Sequence, residues 1–94
     1  MFAPKYIMFR GDGGQGVPYP VIFPHTIEHA AMARTLTPAT LDKDGFVRGL
    51  VPVSAGYVDL DRGEVYGESV SLDLQSNPEF DNRIIKRDLL GEVE

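Results

Sequence analysis

The sequence predicts an α+β domain over residues 1–94, in which a small antiparallel sheet of two hairpins packs against two helices in the order ββα–ββ–α. Three observations lead there. Strand-forming residues concentrate in Phe46–Gln75, where Val51, Val53, Tyr57, Val58, Val65, Tyr66, Val70 and Leu72 flank an Asp61-Arg62-Gly63 turn signal. Pro18, Pro20 and Pro24 exclude a helix from the stretch after the first apolar run, because each removes a backbone donor and restricts the residue before it. Segments of helical character close each half, one at His25–Leu36 and one after Pro78.

In chain order, Met1–Pro4 is a lead-in and Lys5–Arg10 (KYIMFR) a short apolar, aromatic strand. Gly11–Gly16 (GDGGQG) is a glycine-dense loop, and Val21–Phe23 returns as an edge strand, so residues 5–23 form the smaller hairpin. The first helix, HTIEHAAMARTL, has Thr26 as its cap and Pro38 just past its end. Its wheel sets Ile27, Ala30, Ala31 and Arg34 against His25, His29, Met32 and Leu36, so spacing alone does not choose the buried face. Polar residues 37–45 then lead into Phe46–Gln75, read as one long hairpin. Before its turn, Tyr57 and Asp59 share one face and Val58 and Leu60 the other. After it, Val65, Gly67, Ser69 and Ser71 oppose Tyr66, Glu68, Val70 and Leu72. Pro52, Gly56 and Gly67 interrupt the alternation and predict bends or bulges. The last helix has Ser76 and Asn77 as cap candidates, Pro78 in its first turn and capping-box spacing between Ser76 and Glu79. Phe80, Ile84, Ile85 and Leu89 form its apolar stripe, Arg83, Lys86 and Arg87 face outward, and Gly91 stops it.

Composition narrows the function classes. With 94 residues the chain makes one modest core, and with no cysteine it has neither disulfides nor thiolate chemistry. Fourteen acidic residues against nine basic ones give a formal charge of −5, which is ill suited to a phosphate backbone and argues against direct nucleic-acid binding. There is no signal-peptide core and no apolar run of about 20 residues, so the expectation is a soluble cytoplasmic protein without membrane attachment.

Three strings carry chemistry on paper. Gly11-x-Gly13-x-x-Gly16 has the letters of a dinucleotide fingerprint, but that motif needs a helix to open at the loop, and Pro18 and Pro20 stand there instead. Asp42-Lys43-Asp44-Gly45 has the look of a calcium-loop fragment; aligned as one, it places Val51 where the bidentate acid belongs, and so reads as a turn. His25-x-x-Glu28-His29 is the sharpest. On a helix, the two histidines lie one turn apart and grip one metal, with Glu28 beside them as general base. The string resembles the signature of inverted zinc proteases and the zinc helix of the S-ribosylhomocysteine lyases. Those lyases complete their site with a cysteine that this chain lacks. The reading therefore assigns no metal or other cofactor, and keeps a metal-dependent hydrolase or lyase using His25, Glu28 and His29 as the alternative.

Asp59, Asp61, Glu64, Glu68 and Asp73 make the large hairpin acidic, and Tyr57 and Tyr66 stand among them. Tyrosines among carboxylates form a composition suited to protein recognition, so Tyr57, Asp59, Glu64, Tyr66 and Glu68 are the candidate binding residues. The runs KYIMFR, VIFPHTIEHAAMAR, VPVSAGYVDL and VYGESVSLDLQS together resemble small uncharacterised reading frames of tailed phages and prophages. The resemblance implies a setting inside an infected or lysogenic bacterium and carries no functional residue with it. The expected function is that of a non-enzymatic phage accessory protein that binds a host or phage protein, as an inhibitor of a host or defence factor. A self-associating virion or assembly component, with a homodimer as its simplest form, is the further alternative.

Overall fold

The computed structural model describes residues 3–11, 14–42 and 50–91, with the backbone alone given for 36–42. Asp12 and Gly13 of the glycine loop, Lys43–Gly45 of the calcium-like turn and the Phe46 start of the large hairpin lie outside them. The elements are β1 (Lys5–Arg10), β2 (Pro18–Phe23), α1 (His29–Asp42), β3 (Val51–Asp59), β4 (Glu64–Tyr66), β5 (Glu68–Ser69), β6 (Leu74–Gln75) and α2 (Pro78–Asp88). The fold is α+β. An antiparallel sheet has the strand order β2-β1-β3-β4, and β5 and β6 form a separate ribbon.

Both hairpins read from the sequence form, and β1 pairing with β3 joins them into one sheet. This central position explains why Tyr6, Ile7, Met8 and Phe9 are all fully buried: alternate residues enter cores on opposite faces. On one face Ile7, Phe9, Phe23 and Ala55 pack with Ala33 and Met32 of α1, Ile27, and Leu72 and Leu74 from the ribbon. On the other, Tyr6, Met8, Val58 and Val65 meet Ile84, Ile85 and Phe80 of α2. The sheet is thus covered on both sides, and of the stripe expected on α2, Phe80, Ile84 and Ile85 pack on it, whereas Leu89 falls at the helix C-cap and is exposed.

Three local features differ from the sequence reading. The arm after the turn does not run straight from Val65 to Leu72. Gly67 adopts φ +78°, ends β4, and sends the chain into the β5–β6 ribbon. The first helix begins at His29 rather than His25, because Pro24 O accepts the Ile27 N–H and holds residues 25–27 in a turn. Its cap is accordingly not Thr26: Ser71 Oγ, on the ribbon, accepts the Ala30 N–H at 3.1 Å. The helix also runs through Pro38 to Asp42, forgoing the one intrahelical bond that a proline cannot donate. On α2, Pro78 opens the helix as expected, whereas Asn77 occupies the cap position without a side-chain bond and the Ser76–Glu79 box does not form.

The interruption at Pro52 is a register shift: Met8 pairs with Ser54 and Phe9 with Pro52, so Val53 is skipped. Here β3 has no β4 neighbour, since β4 covers only Tyr57–Asp59, and the proline costs no bond on that side. Both outer edges of the sheet carry features that oppose further pairing. Pro18 and Pro20 stand opposite Arg10 and Met8 with their donorless nitrogens on the outer rim of β2. On β4, Asn82 Oδ1 from α2 accepts the outward Val65 N–H at 2.7 Å.

Candidate functional site

The β3–β4 hairpin sets Tyr57 opposite Tyr66 and Asp59 opposite Glu64. The tyrosine rings stack, with centroids 5.8 Å apart and planes 25° from parallel. They end an aromatic row that begins in the core. Phe23 meets His29 edge-on at 5.5 Å, and His29 meets Tyr57 edge-on at 6.2 Å. Tyr66, at the outer end, is 49% exposed.

The carboxylates separate by role. Asp59 Oδ1 accepts the Asp61 N–H at 3.0 Å and the Arg62 N–H at 3.4 Å, so it builds the hairpin turn. Glu64 is exposed beside Tyr66. The sequence reading placed Glu68 with Glu64 on one face of a continuous strand; the break at Gly67 parts them, and Glu68 pairs with Gln75 in the ribbon instead.

That break creates a cavity of about 170 Å³ at the start of α1, lined by Lys5, Glu28, His29, Tyr57, Glu68, Val70 and Ser71. A wider, open concavity of about 530 Å³ lies between Ala3-Pro4, Val58–Asp61 and Tyr66. Tyr57 lines the first and Tyr66 the second, so the stacked rings form the wall between them.

His29 is buried, and its Nε2 donates to the Gly56 carbonyl at 2.9 Å, which fixes the neutral tautomer. Burial lowers its pKa below the ordinary value. The Lys5 charge acts in the same direction, against the opposing pull of the Gly56 bond. Lys5 Nζ itself donates to Ile27 O at 2.9 Å.

The HTIEH string does not assemble as a zinc helix. His25 lies in the exposed turn before α1, so the one-turn helical spacing to His29 is not formed, and the His29 Nε2 is committed to backbone. Among the described residues no group of three His, Asp or Glu side chains is arranged to hold a metal ion. Glu28 and His29 meet Glu68 around the small cavity, a grouping that spacing in the sequence does not disclose.

A second polar cluster lies on the α2 face of the sheet. Asp81 is fully buried, and its Oδ2 accepts from Tyr6 OH at 2.6 Å and from Ser54 Oγ at 2.5 Å. Desolvation raises the Tyr6 pKa well above its ordinary value, and the hydrogen bond and charge of Asp81 raise it further. This cluster is sealed from solvent and joins β1, β3 and α2. The sequence does carry a signal for it: Asp81 falls on the helix stripe of Ile84 and Ile85, where an acid is out of place.

Scans against protein families, curated proteins and solved structures find no match to the chain. No helix among the described residues is long and apolar enough to cross a membrane.

Proposed function

We propose that the chain is a non-enzymatic binding protein that engages a basic surface of a partner through the Tyr57–Tyr66 end of its sheet. As the resemblance to phage and prophage reading frames implies, the partner is a host or phage protein in the bacterial cytoplasm, and binding inhibits it. The observation that carries this reading is the stacked tyrosine pair standing between two concavities, with Glu64, Glu68 and Glu28 around it. Stacked tyrosines present a large, rigid contact area at low entropic cost, and a rim of acids on a chain of charge −5 favours encounter with a basic partner.

The test compares the protein with its Tyr66→Ala variant as baits in bacterial lysate, with circular dichroism confirming that the exposed substitution leaves the fold intact. The expected result is a stoichiometric protein retained by the first bait and lost at least tenfold from the second. Equal retention by both baits, or turnover of a hydrolase substrate by the purified protein with no partner recovered, overturns the reading.

A further inference from the structure

The small cavity has a chemistry more specific than a docking face requires. Resting on the binding role proposed above, we infer that it is a socket for the cationic head of one lysine or arginine side chain presented by the partner. Its volume of about 170 Å³ is that of roughly five or six waters at ~30 Å³ each, room for the end of a side chain rather than for a segment of backbone.

The lining is rich in acceptors. Glu28 and Glu68 are exposed carboxylates without an ion-pair partner among the described residues. His29 supplies an independent acceptor. The residue is 96% buried with Nε2–H spent on Gly56, so Nδ1 carries a lone pair. Among the described residues, Asp81 Oδ1 is the one buried side-chain nitrogen or oxygen without a hydrogen-bond partner. His29 Nδ1 is not such a buried atom and accepts no bond among the described residues, so it reaches solvent, and His29 is one of the residues lining the cavity. Lys5 is the one cation of the lining, and its ammonium is anchored to Ile27 O. Two carboxylates and one ammonium leave a net charge of −1 (+1 − 2). An ammonium or guanidinium group neutralises that charge and donates to the unused lone pairs, whereas an anionic or apolar guest strips water from the carboxylates without compensation. Val70, 85% exposed on the lining, and the Tyr57 ring give apolar surface for the methylene stem of the guest.

The test is a ¹⁵N-resolved NMR titration of the protein with N-acetyl-lysine amide and N-acetyl-arginine amide at constant ionic strength, with N-acetyl-norleucine amide as the uncharged control. Saturable shifts are expected at His29, Tyr57, Glu68 and Ser71 with at least one cationic amide, at least fivefold larger than with norleucine. They are expected to disappear in the Glu28→Gln/Glu68→Gln variant, whose substitutions are on exposed side chains. No saturable shift with either cation, an equal response to norleucine, or an unchanged response in the double variant overturns the socket. The probes contain no partner, so the two readings fail separately. Partner capture that survives a negative titration removes the socket alone, and a positive titration without capture removes the protein partner.

Discussion

Tyr6, Ser54 and Asp81 tie α2 to the middle of the sheet, and their burial makes each hydroxyl costly to lose. Tyr6→Phe leaves Asp81 with a single donor, and we expect a loss of about 1.5–3 kcal/mol in urea unfolding, the range for a hydrogen bond to a charged group. The same hydroxyl sets an alkaline limit. Its pKa is raised in the folded state, so its contribution is complete below the ordinary tyrosine value of about 10 and is lost as pH climbs beyond it. Unfolding midpoints measured from pH 8 to 11 should fall in the native protein and fall less in Tyr6→Phe. His29 works at the other end. Its folded pKa is depressed, so the unfolded chain binds the proton more readily; stability is complete above about pH 6.5 and declines as pH drops through the folded value. A His29→Gln variant should show a shallower decline between pH 7 and 5 than the native chain, and equal slopes would remove His29 as its source. Asp81 went unremarked in the sequence reading, although an acid on an apolar stripe is a signal that could have found it. Its partners were not legible, because Tyr6 lies 75 residues away in sequence and Ser54 27, and local pattern has no access to such separations. The same holds for Lys5 and Ser71 at the small cavity.

Among the elements, those specified by strong local pattern form where the sequence places them. Lys5–Arg10, the Asp61–Gly63 turn and the Ile84–Ile85 stripe each rest on a local signal: an apolar aromatic run, a turn glycine, and a helical spacing opened by Pro78. The start of α1 is different, because its cap is supplied by Ser71 from 41 residues downstream, and Thr26 loses to a partner that only the folded ribbon brings near. Gly56 and Gly67 were legible as interruptions, but their reasons differ. Gly67 needs its positive φ, whereas Gly56 needs space: a Cβ there would collide with the Tyr66 carbonyl oxygen. Gly56→Ala should therefore push β4 off β3 and disturb the His29 contact with the Gly56 carbonyl. The expected cost is about 1–3 kcal/mol of stability, with amide shift changes concentrated at Tyr57, Tyr66 and His29. A substitution that is neutral in both readouts would contradict the close approach.

At the scale of the molecule, the sheet carries helix or ribbon on both faces, and strand-to-strand joining with another chain is opposed by two prolines at β2 and by one side chain at β4. Asn82→Ala reopens the β4 rim. It should cost about 1–2 kcal/mol through the unpaired Val65 N–H and raise the fraction of oligomer seen by light scattering at high concentration, whereas Asn82→Asp, which keeps an acceptor, should do so less. If Asn82→Ala stays monomeric and as stable as the native chain, that side chain is not the lock. The lock also has a place in time. Val65 and its stopper are only 17 residues apart, so they emerge as one short segment, and the rim stays open until α2 docks on the sheet. Refolding at high chain concentration is thus the setting in which this edge is most exposed to a neighbour, and raising that concentration should lower the refolded yield more in Asn82→Ala than in the native chain.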